Sequence, residues 1–369
     1  MMSSQPPKYV QTPPFSAFFL VHAMQIGVGV LGFQRVVMEA SGYDAWMSVL
    51  FAGVGVSVSI WLMYIILNTY EADIVTIHKL LFGSLIGNAL SLILMIYFFV
   101  VAVVILRTFI EVLQVWVFYD LQTWVLSVLA AVFFWFALNG GFRLVAGLCV
   151  FGVLFPSGLF IILYLPLEYA EINNILPILQ HNFQEVALGA KETILAYIGP
   201  ELLLMAYPFI ERARLSHKWA QMGHAATVYI YFSVMVVSLL FYSEMQIERL
   251  IWPTLTMLKI VEFPFIERFE YVGLFLWLIV VTPNIALCLW ASSRGVKRIF
   301  SIRQRTALYV MLPIFATLPT FFADRQGIET FNNAVSTFGL YILIGYLPFL
   351  FIIHQLKRWL KGGRRNETN

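Results

Sequence analysis

Gln25-Ile-Gly27-Val-Gly29-Val-Leu-Gly32-Phe-Gln-Arg35 lies inside the first apolar stretch of this 369-residue chain, and Gly199-Pro200-Glu201 lies inside the sixth. Glycine has no Cβ and proline no N–H, so both loosen the ladder of hydrogen bonds that closes a helix. In hydrocarbon a freed backbone group costs several kcal/mol, so a break of this kind persists only against protein or a wet cavity. Interrupted apolar segments at corresponding positions of two halves point to a binding site near the middle of a bilayer. The pair therefore predicts a transporter-type helical fold.

Composition agrees. The chain is 60% hydrophobic and 12% charged, with mean hydropathy +0.83. Soluble domains carry about 25% charge, so this is the composition of an integral membrane protein. The 33 Phe and 10 Trp suit lipid-facing surfaces and interfacial anchors. A net charge of +3, dispersed along the chain, gives no footprint for nucleic acid. Cys149 and Cys288 fall within apolar spans and read as buried thiols. The polar N-terminus leads into a long apolar run without a small-residue cleavage site, which predicts a retained helix rather than a signal peptide.

Crossing about 30 Å of hydrocarbon takes ~20 residues. Ten stretches qualify, near 14–33, 45–68, 83–106, 120–139, 143–165, 190–210, 218–242, 269–291, 306–323 and 333–356, and the third has nothing to stop it before Gln114. Ten crossings put both termini on one side. Sixteen of the 23 Lys and Arg, among them Lys79, Arg143, Arg214, Arg298 and Lys357, fall at the ends on that side; seven, including Arg35, Arg107 and Arg325, fall at the other. The positive-inside rule then places both termini in the cytoplasm. Acidic residues such as Asp44, Glu111 and Glu262 sit mainly outside. The longest connections, 166–189 and 243–268, are apolar enough to form short helices lying over the bundle. The basic tail 357–369 suits lipid headgroups.

Spans one to five (14–165) and six to ten (190–356) each open with the interrupted helix. An odd number of crossings per half forces opposite insertion, which gives a single all-α membrane domain with a 5+5 inverted repeat and broken helices 1 and 6. Exposed N–H groups at a half-helix end favour a carboxylate, and freed carbonyls favour an ammonium or a cation. The run Gln25 to Arg35, the Gly-Pro-Glu of the sixth span followed by Tyr207-Pro-Phe209, and the ten-span layout resemble the spore-germination permease family. These are the B subunits of germinant receptors, within the amino-acid/polyamine/organocation superfamily of LeuT-like fold. The resemblance implies a non-enzymatic subunit in the spore inner membrane that binds a germinant, usually an amino acid or other small nutrient. It also implies A and C partner subunits.

The candidate ligand-binding residues are Gly27, Gly29, Gly32, Tyr97, Val101, Gly199, Glu201, Leu202, Leu203 and Thr282, with Pro200 and Glu201 as candidate gating residues. The three glycines of the first span could serve as packing points between helices, but a spacing of two then three does not trace one helical stripe. An acid at a helix break in mid-membrane is a functional candidate by default. Tyr97 and Val101 share one helical face, and a mid-membrane tyrosine needs a hydrogen-bond partner. Thr282 either faces a ligand or back-bonds to its own helix; Ser336 and Thr337 are weaker candidates. The six histidines lack metal-ligand spacing, and no pattern calls for a cofactor.

Three functions fit: a nutrient-sensing receptor subunit, a proton- or sodium-coupled permease, and a structural or water- or ion-conducting subunit. Several proton-coupled members of the superfamily carry a lysine in the fifth span; Phe142 to Leu165 has none here, though Glu201 could substitute for it, and sodium could use Thr282 and the freed carbonyls. The charge bias is directly testable. A cytoplasm-restricted reporter fused after Arg365 is expected to be active, and segment 243–268 to be labelled from outside intact cells. Protection of that segment would overturn both the span count and the inverted repeat.

Overall fold

In the computed structural model, which describes residues 6–260 and 268–366, the first apolar segment is two helices rather than one. Helix α1 (Ser16–Gln25) stops at the glycines, a single 3-10 turn covers Val28–Leu31, and α2 (Phe33–Ser41) continues onward. The half-helix beyond the break thus runs past the expected end at 33, carrying Arg35 and Glu39 along its exposed side. Gly42 turns the chain into α3 (Ala45–Tyr70). Next comes α4 (Ile74–Trp116), started by the Asp73 carboxylate accepting from the Thr76 N–H at 2.9 Å and kinked at Gly83. It extends well beyond 106, as the lack of any breaker before Gln114 allows.

Helices α5 (Thr123–Asn139), α6 (Phe142–Leu154) and α7 (Ser157–Ile162) complete the first half. The connection that follows holds 3-10 turns at Leu165–Tyr169 and Ile172–Ile175. Helix α8 (Phe183–Ala196) begins ahead of the apolar run at 190 because Asn182 and Glu185 form a reciprocal cap. The chain breaks again at Gly199, passes a 3-10 turn at Pro200–Leu202 and resumes as the short α9 (Leu203–Ala206). Then follow α10 (His217–Phe241), the surface helix α11 (Glu244–Arg249), the short and largely buried α12 (Pro253–Met257), and α13 (Phe269–Phe300) with Pro283 in its interior. Helices α14 (Gln304–Thr317), α15 (Arg325–Leu340), a π-helical stretch at Tyr341–Tyr346 and α16 (Leu347–Asn366) close the chain. Glu262 and the side chains of the basic tail beyond residue 360 lie outside the described residues.

Among the described residues, six helical segments are long and apolar enough to cross a membrane: 33–70, 74–116, 142–169, 213–241, 269–300 and 325–360. Thr123–Asn139 is a shorter apolar helix. The first and sixth expected spans escape a length criterion because each is interrupted, and the ninth because α14 is short. Large apolar side chains such as Trp61, Leu85, Phe136, Ile161 and Tyr309 are exposed on the outer faces, as lipid contact requires. Inside, α13 lies along α4 and α6, α1 along α10, and α3 along α8.

The chain runs back and forth between two ends. One end is tied by Thr12 pairing with the backbone of Phe209 and Glu211, by Arg214 with Glu71 at 2.8 Å, and by Arg298 with Asp73 at 3.2 Å. At the other, Asp44 accepts from the backbone of Leu179 and His181, and Arg325 meets Glu111 at 2.8 Å. The two breaks fall between these ends and touch: a Cβ at Gly199 would stand 2.7 Å from Cβ of Met24. Gly199 also has φ +136°, a conformation that side chains strongly disfavour.

Candidate ligand cavity at the helix breaks

Breaking α1 frees carbonyls that have no helical donor, and the protein supplies donors from neighbouring helices. Asn284 of α13 donates through Nδ2 to Ala23 O at 2.9 Å, Met24 O at 3.1 Å and Ile26 O at 3.2 Å. The Tyr231 hydroxyl of α10 donates to Gln25 O at 3.0 Å, and Trp277 Nε1 of α13 donates to Gly27 O at 3.2 Å. Consecutive carbonyls from Ala23 to Gly27 thereby all lie within hydrogen-bond distance of a side-chain donor, the two Nδ2 hydrogens of Asn284 being shared among three of them. The same residues bind the two breaks together. Tyr231 also donates to Ala196 O at 3.3 Å, and Gln25 Nε2 donates to Tyr197 O at 2.7 Å. His224 holds Gln25 in turn, at 3.0 Å from its Oε1. Each of these carbonyls, expected to favour an ammonium or a cation, already accepts from a side-chain donor.

Neither resumed half-helix has a side-chain N-cap, but the turn ahead of the second is braced by a carboxylate. At the sixth break Glu201 folds back on its own turn, with Oε2 accepting from the Gly199 N–H at 2.8 Å. Its Oε1 accepts from the Tyr97 hydroxyl at 2.9 Å. Glu201 is 1% exposed, so each carboxylate oxygen has a donor in an otherwise dry setting. At the first break no side chain caps α2. That end opens onto a cavity of about 300 Å³.

Gly27, Gly29, Gly32, Tyr97 and Val101 line this cavity, together with Asn284, Ile198, Tyr231, Trp252 and Ser336. Toward the end of the bundle that carries Glu111, its wall becomes charged: Glu192, Arg325, and Arg35 paired with Glu329 at 3.4 Å. Arg35 belongs to the broken helix and Glu329 to α15, so the pair links two walls of the opening. Gly32 is packed so closely that a Cβ there would stand 2.5 Å from the Ile251 carbonyl oxygen.

The structure does not bring the other expected residues to the lining. Gly199, Pro200, Glu201, Leu202 and Leu203 are buried behind it, and Glu201 reaches the cavity only through Tyr97. Thr282 donates back to Leu278 O at 2.7 Å. Two residues along a helix is a turn of about 200°, so Thr282 and Asn284 occupy opposite faces and Asn284 takes the inward one. Asn284, Trp277 and Tyr231 were missed. A sequence signal existed for Asn284, an amide in the middle of an apolar span. Of the histidines, His22 is hydrogen-bonded to Thr227 at 2.9 Å, and His224 also meets Gly53 O at 2.8 Å.

Comparison with known proteins adds identity to this geometry. Residues 11–328 match the model of a family described as "Spore germination protein". The chain is 38% identical to spore germination protein GerQB of Bacillus cereus, over 96% of this chain and 98% of that one. It is 23% identical to spore germination protein YndE of Bacillus subtilis (strain 168), over 95% and 97% of the two chains. Among solved structures it is similar to a Na+-coupled sialic acid symporter in a substrate-bound outward-open state, with TM-score 0.64 and 13% identity over 92% of this chain and 78% of that one. It is also similar to MHP1, a nucleobase-cation-symport-1 family transporter, with TM-score 0.59 and 13% identity over 93% and 82%. At such identities the structural likeness shows the fold alone.

The Tyr97–Glu201 contact yields a stability prediction. Tyr97→Phe removes one donor from a fully buried carboxyl oxygen, which costs about 1–3 kcal/mol. Thermal unfolding of the purified protein in detergent should move to lower temperature. An unchanged midpoint would show that the contact carries no weight.

Proposed function

The chain belongs to the spore germination protein family, and on that premise we propose that it is the nutrient-sensing B-type subunit of a germinant receptor in the spore inner membrane. In this reading it crosses the membrane ten times as two inverted five-helix repeats, with both termini in the cytoplasm. An amino acid or similar small nutrient enters from the side carrying Arg35 and Glu329 and lodges against the broken first helix. A and C partner subunits receive the signal.

One observation carries the reading. The first break is already held by Asn284, Tyr231 and Trp277, while the N-terminal end of α2 opens uncapped onto the cavity. Uncapped N–H groups with the helix dipole behind them favour a carboxylate. The carbonyls that could hold a coupling cation already accept side-chain hydrogen bonds, and Thr282 sits on the face of α13 opposite Asn284, outside the cavity lining. The fifth span, moreover, offers no lysine. Binding without a coupling site is what a sensor requires. A ligand that favours one of two conformations by about 1–3 kcal/mol suffices to bias partner subunits. Uphill transport would need an ion site in addition.

Glu201 is proposed as the residue through which the sixth break responds. Its two oxygens serve two donors, Tyr97 and Gly199. A carboxamide has one acceptor oxygen and would set an N–H against one of those donors. Glu201→Gln is therefore expected to impair ligand-dependent germination in spores that contain all receptor subunits. Vesicles containing the wild-type chain alone, under an imposed proton or sodium gradient, are expected to accumulate no amino acid. Concentrative uptake that Glu201→Gln abolishes would replace the sensor by a permease.

A further inference from the structure

We propose that Oδ1 of Asn284 is the acceptor that reads a hydrogen-bond donor on the bound nutrient. For an amino acid that donor is the amine; the inference rests on the small-nutrient reading above and deepens it. Asn284 is 1% exposed, in α13, and lines the cavity. Its Nδ2 serves three carbonyls, of Ala23, Met24 and Ile26. This fixes which way the amide faces, since the reversed amide would set its oxygen against three carbonyl oxygens. Oδ1 therefore occupies the other edge of the group. It is buried there and has no hydrogen-bond partner among the described residues.

Such an atom needs an explanation, because buried polar atoms in folded proteins are nearly always paired. The carbonyls from Ala23 to Gly27 already have side-chain donors, and among the described residues that line the cavity Asn284 carries a buried side-chain acceptor, Oδ1, without a partner. The nine-residue α2 presents its uncapped N-terminal end to the same space. One end of a ligand then supplies a donor to Asn284 and the other an acceptor or carboxylate to α2. Its apolar part lies against Val101, Ile198 and Trp252. Because the same amide clamps the broken helix, a ligand bound at Oδ1 pulls on the element that must rearrange.

The test uses the full chain purified with its partner subunits. Affinities are measured by calorimetric titration for the common L-amino acids. The tightest binder is then compared with its N-methyl, N,N-dimethyl and N,N,N-trimethyl derivatives. The first two keep a donor and should bind comparably to the parent. The trimethyl form keeps the positive charge but has no N–H, and its affinity should fall at least tenfold, about 1.4 kcal/mol. Equal binding of parent and trimethyl forms would overturn the assignment, as would a smooth decline with each methyl, which signals crowding. In Asn284→Leu, checked for folding by gel filtration, the ratio of parent to trimethyl affinity should approach one; the wild-type series stands if that variant does not fold. If no common amino acid binds, the amino-acid reading itself fails, an outcome distinct from binding that ignores N-methylation.

Discussion

A run of backbone carbonyls at membrane depth with no helical donors is the constraint around which this protein is built. Left alone, each would cost several kcal/mol. Asn284 and Trp277 from α13 and Tyr231 from α10 supply the missing donors, and in doing so they fix the relative placement of three helices. Tyr231 and Gln25 extend the same network to Ala196 and Tyr197, so one set of side chains holds both breaks. The approach of Gly199 to Met24 needs a residue without a Cβ, since a Cβ there would stand 2.7 Å from that of Met24.

The two breaks are alike in backbone but not in chemistry. The sixth is closed by its own Glu201, whereas the first presents an uncapped helix end to a cavity. Tyr97 connects them: its ring lines the cavity and its hydroxyl rests on Glu201. A molecule that moves Tyr97 must disturb the carboxylate that holds the Gly199 turn. That is a short mechanical route from an occupied cavity to the second broken helix, and it uses groups already buried and paired. At the mouth, Arg35 and Glu329 bring the broken first helix to α15. Both are partly exposed, so the pair contributes little to stability and can open at small cost.

Much of this was legible in the sequence. Glycine and proline within apolar runs located both breaks to the residue, and the spacing of Tyr97 and Val101 placed both on the face that lines the cavity. The extension of α2 to Ser41 was not legible, because Arg35 and Glu39 end an apolar run by composition while the inner face of the helix stays buried. Asn284 was overshadowed by Thr282, and only the helical rotation between them decides which faces inward. Leu202 and Leu203 follow Glu201 directly in sequence, yet they pack behind the turn and not on the cavity lining. The Arg35–Glu329 pair joins residues from opposite ends of the chain, a contact that neither composition nor periodicity encodes.

Side-chain donors hold the first break, so its stability needs no bound cation. Thermal unfolding of the purified protein in sodium chloride and in choline chloride at equal ionic strength tests it without any nutrient. A native-state sodium site occupied at a hundred times its dissociation constant would add about 2.7 kcal/mol of stability. The wild type is expected to unfold at the same midpoint in both salts. Asn284→Asp, which puts a carboxylate among the carbonyls of Ala23, Met24 and Ile26, is expected to gain sodium-dependent stability. A sodium-specific rise in the wild-type midpoint would show that a cation holds the break.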